Sequence, residues 1–165
     1  MQWVTMAKRT GFLRWSRWMV LGLFLAVGPA FGETSNFGTL TLNAGKAIGS
    51  LSGTTGGSTS LPAIVSSSDL HSNPCLGFGD PTPDHILVLQ QNFPKLKLQV
   101  NSSNSDTTLV VQGADGSVRC GDNIGSRKDA SMVDTDWAAG SYKVWVGTVN
   151  PGVRRNYTLT VRQMK

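Results

Sequence analysis

The sequence has few of the residues from which catalytic centres are usually built. Its 165 residues include only two histidines and two cysteines. No Gly-x-Ser-x-Gly or His-Glu-x-x-His motif occurs. His85 follows Asp84 at the start of a predicted strand, where neighbouring side chains point to opposite faces. His71 stands in a turn-rich region without a partner motif. We therefore expect a protein that is not an enzyme.

The chain also lacks an apolar run of the ~20 residues that a membrane-spanning helix needs. Residues 1–18 carry basic residues and no acid, and a shorter apolar run follows them. Gly28-Pro29 ends that run, and the small residues Ala30 and Gly32 stand where a signal peptidase cuts. The pattern predicts a helical signal peptide at 1–32, with an uncleaved amphipathic anchor as the alternative.

Acidic residues are absent from this leader, which changes the meaning of the net charge. The whole chain has 15 basic and 10 acidic residues and a net charge of +5. Without residues 1–32 it keeps eleven basic and ten acidic residues, a net charge of +1. We therefore expect no nucleic-acid partner, and no membrane contact after cleavage. The leader predicts a secreted or periplasmic protein.

The two cysteines, Cys75 and Cys120, predict one disulfide, because exported proteins mature in oxidising compartments. Two cysteines without a nearby histidine pair do not make a zinc site. Their spacing also differs from the Cys-x-x-Cys of reactive thiol pairs. A bridge closing a loop of this length stabilises by about 4 kcal/mol at most. We predict a structural bridge.

After the leader, no segment has the period of a helix, whereas short alternating segments separated by turn residues recur. This pattern predicts a single all-β domain at 33–165, an antiparallel β-sandwich. The predicted strands lie at 37–42, 47–53, 84–89, 96–100, 107–111, 118–120, 142–147 and 157–162.

The segments between these strands predict several connections. Asn92-Phe93-Pro94 predicts a hairpin between the strands that flank it. Asp115-Gly116 predicts a second hairpin, because glycine accepts a positive φ. The Gly/Ser/Thr run at 54–60 predicts a flexible loop. Residues 121–136 predict a long polar connection.

An ordered set of motifs resembles the bacterial pre-peptidase C-terminal domain family. The motifs are Asp106-Thr107-Thr108-Leu109-Val110-Val111, Asp115-Gly116, Cys120-Gly121-Asp122-Asn123, Asp134, Ala139-Gly140-Ser141-Tyr142-Lys143-Val144-Trp145-Val146-Gly147 and Tyr157-Thr158-Leu159-Thr160-Val161. The resemblance covers roughly 46–161. It implies a jelly-roll-like sandwich, a type of domain usually attached to secreted peptidases and used for binding and targeting. We expect here a stand-alone domain behind the signal peptide.

Acidic and amide side chains near the predicted strand ends are candidate calcium ligands, because calcium prefers oxygen donors. The candidates are Asp106, Asp115, Asp122, Asn123, Asp134 and Asp136. The family's acidic pair after the cysteine appears here as Asp122-Asn123. The alternative is turn chemistry, in which Asp and Asn side chains bond their own backbone, and we favour it. No other cofactor is expected.

Aromatic residues are the candidate ligand contacts. Alternation predicts that Tyr142 and Tyr157 face the core, and that the Tyr142 hydroxyl bonds nearby backbone as a tyrosine corner. Trp145 has the opposite parity, so we expect it to face solvent and to bind a ligand, with Trp137 as the second candidate.

Two function classes remain open from the sequence. The first is a non-catalytic exported binding module that recognises a protein or a polysaccharide. The second is a structural component of the envelope that oligomerises through sheet edges. A weaker alternative is a regulator of a separately encoded secreted peptidase.

Overall fold

The computed structural model describes Met1, residues 33–124 and residues 126–165. Apart from Met1, the predicted signal peptide and its cleavage site up to Gly32 lie outside the described residues. The described part of the chain contains eleven strands and one single-turn helix. They are β1 (Thr39–Leu42), β2 (Ile48–Thr54), β3 (Thr59–Ser60), α1 (Leu61–Ile64), β4 (Phe78–Gly79), β5 (His85–Leu89), β6 (Phe93–Asn101), β7 (Thr107–Gly113), β8 (Val118–Ile124), β9 (Arg127–Trp137), β10 (Gly140–Thr148) and β11 (Asn156–Gln163).

Nine of these strands are hydrogen-bonded in the order β1-β5-β10-β7-β8-β9-β6-β11-β2. The β8 strand pairs with β7 through its first half and with β9 through its second half, so it links two layers. We call β1, β5, β10 and β7 the first sheet, and β9, β6, β11 and β2 the second sheet. The turn Asn43–Lys46 joins β1 to β2 and nearly closes the sandwich. The predicted all-β sandwich is confirmed.

One strand pair departs from the antiparallel expectation. The β1 strand runs parallel to β5, with Leu40 opposite Leu87. A parallel pair needs a long connection, and residues 43–84 supply it. The other paired strands are antiparallel.

Two predicted connections are wrong. The β5 and β6 strands do not form a hairpin about Asn92, because β5 pairs with β10 whereas β6 pairs with β9 and β11. Residues 127–137 form β9 instead of a polar connection. Only Ala130, Met132 and Trp137 of β9 are apolar residues in the core, so the sequence of this strand is mostly polar. The hairpin about Gly116 is confirmed, with the amide of Gly113 donating to the carbonyl of Ser117 at 2.9 Å.

Alternating side chains build the core between the sheets. On β6, Leu96, Leu98 and Val100 are fully buried. On β11, Tyr157 and Leu159 are buried as predicted. Burial of these side chains supplies most of the favourable free energy of folding.

A second, smaller core lies on the outer face of the first sheet. The segment 61–79 crosses this face and carries α1, whose first turn contains Pro62. The buried residues of this smaller core are Leu61 and Cys75 from the segment, and Val110, Val118 and Trp145 from the strands. Cys75 and Cys120 are joined by a disulfide with their Cα atoms 5.3 Å apart, as predicted. The disulfide holds the covering segment to β8. Over the described ranges, no helix has the length and apolarity that a membrane crossing requires.

Candidate binding face on the second sheet

The two predicted ligand-contacting tryptophans are buried. Trp145 exposes 3% of its surface and Trp137 exposes 1%. The parity of Trp145 was predicted correctly, since the side chain points away from the core between the sheets. The expected exposure was wrong because the segment 61–79 covers that face. Trp137 packs in the core at 5.2 Å from the ring of Tyr142, so neither indole is available to a ligand.

Both tyrosines have the predicted orientation. Tyr142 and Tyr157 are 5% and 3% exposed. The Tyr142 hydroxyl donates to the carbonyl oxygen of Ala138 at 2.8 Å, as expected for a tyrosine corner.

The six predicted calcium ligands do not form one cluster. Asp115, Asp134 and Asp136 lie near one end of β8, whereas Asp122 and Asn123 lie in its other half, with Asp106 just before the neighbouring β7. Within the described residues, no three carboxylate, imidazole or thiol groups are placed to hold a metal ion. The long strands β8 and β9 separate these residues. Calcium binding stays an untested alternative to the turn chemistry that we favour.

Turn chemistry and ion pairing account for several of these side chains. Asp115 accepts a hydrogen bond from the amide of Ser117 at 2.9 Å. Hydrogen bonds from Ser117 lower the pKa of the Asp115 carboxyl. The Asp134 carboxylate accepts from Nε of Arg119 at 2.8 Å and contacts Nε2 of His71 at 3.0 Å.

Arg119 is a structural residue that the sequence analysis missed. It is 7% exposed, and its guanidinium lies 4.3 Å from the centre of the Trp137 ring. It also donates to the Ser117 hydroxyl at 3.2 Å. A buried cation needs such partners. The alternation of β8 did not indicate that Arg119 is buried in an ion pair, because its partner Asp134 belongs to β9, a strand that the sequence did not predict.

In contrast to the first sheet, the second sheet leaves its outer side uncovered by any described segment. We call this surface the open face. Its outward side chains come from β2, β11, β6 and β9. They are Ile48, Ser50, Ser52, Thr158, Thr160, Arg162, Lys95, Lys97, Gln99, Asn101, Ser131, Val133 and Thr135.

Strand register aligns these side chains in rows across the sheet. In one row Ile48 is opposite Arg162, Arg162 is opposite Lys97, and Lys97 is opposite Val133. The neighbouring row places Ser50 opposite Thr160, and Thr160 opposite Gln99. Ser52, Thr158 and Asn101 make the third row. Of these three rows only the first carries charge, and the remaining outward base, Lys95, lies next to that row opposite Thr135.

Two shallow grooves run along the open face and meet at Asn101. The first, which we call the amide groove, has a volume of about 580 Å³ and is lined by Phe37, Ser52, Gly53, Thr54, Asn101, Ser103, Asn156, Tyr157 and Thr158. The second, the basic groove, has a volume of about 250 Å³ and is lined by Ile48, Lys97, Gln99, Asn101, Thr160 and Arg162. The two grooves share Asn101 as a lining residue, and we call the two neighbouring grooves together the track.

Gly53 leaves room for the Tyr157 hydroxyl and the Phe37 ring, which both line the amide groove. A Cβ atom at this position would collide with the hydroxyl oxygen of Tyr157 and lie 2.9 Å from the ring of Phe37. The Phe37 ring is 39% exposed at the groove wall. Thr54 donates to the side-chain oxygen of Asn156 at 2.9 Å, which orients that amide.

A buried polar group lies beneath the amide groove. The Tyr157 hydroxyl is 3.0 Å from Nε2 of His85. The neighbouring Asp84 carboxylate accepts from the amide of Val146 at 2.7 Å. Burial raises the pKa of the Asp84 carboxyl to about 7 and lowers the pKa of the His85 imidazole to about 4. Burial also raises the pKa of Tyr157, so His85 and Tyr157 are neutral near pH 7.

No protein-family model and no curated protein matches the chain. Two solved structures are similar in fold. The pre-peptidase C-terminal domain of a collagenase from Bacillus anthracis is 12% identical, with a TM-score of 0.47, over 79% of this chain and 99% of that one. PliG, a periplasmic inhibitor of g-type lysozyme from Aeromonas hydrophila, is 14% identical, with a TM-score of 0.46, over 79% of this chain and 100% of that one. Membership of the pre-peptidase C-terminal domain family stays a prediction.

Proposed function

We propose that this protein is a non-catalytic, exported binding module that holds its ligand on the open face. The observation that carries the proposal is the pair of neighbouring grooves on the open face, the amide groove and the basic groove, which share Asn101. Amide, hydroxyl and basic side chains along this track supply hydrogen-bond donors and acceptors to a bound molecule. The Cys75–Cys120 disulfide is of the kind that forms in oxidising compartments and supports export.

The described residues support binding better than catalysis at this track. Its outward side chains include no histidine and no carboxylate. His85 is 1% exposed and Asp84 is 6% exposed, so both lie below the surface that a ligand meets. Their hydrogen bonds go to Tyr157 and to the backbone of Val146. Nε2 of His85 and the Asp84 carboxylate therefore bond groups of the protein itself, while Nδ1 of His85 is buried without a hydrogen-bond partner.

The proposal is tested by filling the amide groove. Thr158 points outward from β11 and lines that groove, so Thr158→Trp adds bulk there without entering the core. We expect this variant to lose binding on arrays of glycans and envelope proteins to which the parent binds. Val149→Trp is the control, because Val149 is 39% exposed in the turn after β10. Equal binding by both variants would contradict a ligand site on the open face.

The structural-component alternative has a separate readout. The β2 strand ends the hydrogen-bonded order and pairs with β11, so it presents an edge to which a second strand can add. Light scattering over a range of protein concentrations measures such association. Concentration-dependent assembly without binding on the arrays would favour the structural role over the binding module.

A further inference from the structure

The basic groove contains an arrangement that the fold alone does not explain. Lys97 and Arg162 are directly opposite each other on neighbouring strands, and Lys95 lies two residues along from Lys97. Like charges directly opposite in a sheet are destabilising. The strands β2, β6 and β11 contain no acidic residue. On the adjacent β9, Asp129 accepts from Ser102, Asp134 from Arg119, and Asp136 from the Thr135 hydroxyl. Among the ion pairs of the described residues, none includes these three bases.

Basic residues elsewhere on the domain do have acidic partners. Lys143 lies 3.6 Å from the carboxylate of Glu33, and Arg119 lies 2.8 Å from that of Asp134. Arg162 is exposed and Lys97 is half-buried, so both ammonium and guanidinium groups are available to an anion from outside. A ligand carboxylate between them would relieve their repulsion and gain charge-assisted hydrogen bonds.

We propose that the open face binds an acidic polysaccharide. This inference rests on the proposed function and names the class of its ligand. Sugar carboxylates contact Lys97 and Arg162 in the basic groove, and sugar hydroxyls bond the Asn, Ser and Thr side chains of the amide groove. Along β11 the track extends for about 20 Å, at the rise of ~3.4 Å per residue of an antiparallel strand. An extended chain is the shape that fits it.

The placement of apolar residues favours a polysaccharide over an acidic protein. Protein interfaces have an apolar, often aromatic centre and a polar rim. The open face has the reverse arrangement, since Ile48 and Val133 lie at the two ends of a row whose centre is Arg162 and Lys97. Ile48 and Val133 are 58% and 47% exposed. The partly exposed ring is Phe37, at the wall of the amide groove, where one sugar ring can lie against it.

The test uses polygalacturonate, fully methyl-esterified polygalacturonate and polyglutamate as probes in titration calorimetry. We expect the chain to bind polygalacturonate, and to bind the esterified polymer at least about tenfold more weakly, because its carboxylates are capped. Polyglutamate has carboxylates without sugar hydroxyls, so we expect similarly weak binding. Added salt should weaken the binding of polygalacturonate, because the contacts are ionic.

Variants locate the site. Lys97→Glu should reduce the affinity for polygalacturonate at least about tenfold, by removing one favourable charge and adding an unfavourable one. Arg162→Gln should also reduce the affinity for polygalacturonate. Lys128→Glu is the matched control, since Lys128 is exposed in β9 and lies outside both grooves. We expect it to bind as the parent does.

Several outcomes would overturn the inference. They are no binding of polygalacturonate by the parent, equal binding of the esterified polymer, polyglutamate binding as tight as that of polygalacturonate, or an equal loss in Lys97→Glu and Lys128→Glu. If the parent binds neutral glycans instead and Thr158→Trp abolishes that binding, the proposed function stands while the acidic ligand class fails.

Discussion

The outer faces of the two sheets differ in what lies on them. The first sheet is covered by the segment 61–79, which is fixed by the Cys75–Cys120 disulfide and packs on Trp145. The second sheet carries rows of polar and basic side chains with no described segment over them. Both faces come from strands with alternating side chains, so the difference arises from a connection remote in sequence. A side chain that points away from the core therefore stabilises the fold on one sheet and meets solvent on the other.

Truncation of Trp145 should show the largest effect, because it opens a cavity in the smaller core. We expect Trp145→Ala to lower the free energy of unfolding by about 3–5 kcal/mol. Urea denaturation followed by circular dichroism measures it. Lys97→Ala on the open face is the comparison and should change the value by less than about 0.5 kcal/mol. Similar losses in both variants would mean that the two faces do not differ in this way.

Removal of the disulfide should have the next largest effect. Replacing Cys75 and Cys120 together by serine should lower the free energy of unfolding by up to about 4 kcal/mol, because the unfolded chain regains the freedom of a long loop. Limited proteolysis should then cut within 61–79 before the strands of the second sheet. Cleavage that begins in β6 or β11 would contradict the view that the disulfide holds the covering segment.

The buried side chains Asp84 and His85 predict that the free energy of unfolding depends on pH, and their two contributions have opposite signs. The pKa of Asp84 is raised from 3.8 to about 7. Between these two pH values the folded state binds more protons than the unfolded state, so stability falls as the pH rises. His85 has its pKa lowered from 6.5 to about 4, so the unfolded state binds the extra proton and stability rises with pH there. Between about pH 4 and 6.5 the two contributions offset each other.

Single variants separate the two contributions. In Asp84→Asn, unfolding free energy should rise with pH between 4 and 6.5 relative to the parent, by up to ~1.4 kcal/mol per pH unit. In His85→Phe it should fall over the same window. Denaturation curves at several pH values measure how the free energy of unfolding changes with pH. A substitution that lowers stability equally at every pH does not alter this slope. Parallel curves for the parent and both variants would contradict the two pKa shifts.

The smallest predicted effect has the opposite sign. Lys97→Glu places a carboxylate opposite Arg162 in place of a like charge. We expect it to raise the free energy of unfolding by roughly 0.2–1 kcal/mol, with Lys128→Glu as the control for the change in net charge. A measured loss would show that Lys97 and Arg162 do not repel each other in the folded protein. A gain would show that a residue proposed to bind the ligand reduces stability.

Local patterns were enough to predict several parts of this molecule. Alternation predicted the buried faces of β10 and β11, including Tyr142 and Tyr157. The tyrosine corner followed from the type and parity of Tyr142, and the hairpin about Gly116 followed from its turn residues. The disulfide followed from the presence of only two cysteines in a chain with a predicted leader.

The binding face could not be predicted in the same way. Lys97 and Arg162 are 65 positions apart in the sequence, and only the register of β6 with β11 brings them together. The expected hairpin between β5 and β6 concealed that register, because it assigned β6 to the wrong neighbour. The β9 strand was missed because its apolar residues are few, with only Ala130, Met132 and Val133 between polar residues before Trp137.

By itself, the sequence determined the fold class, the inward side chains of most strands and the cysteine bridge, because these depend on neighbours within a few residues or on composition. The tertiary structure alone decided which outward side chains meet solvent, which carboxylates pair with Arg119 and which bases face each other. Those properties depend on strand order and on where the segment 61–79 lies. Long-range contacts fix both of these, and a local pattern of alternation carries no information about them.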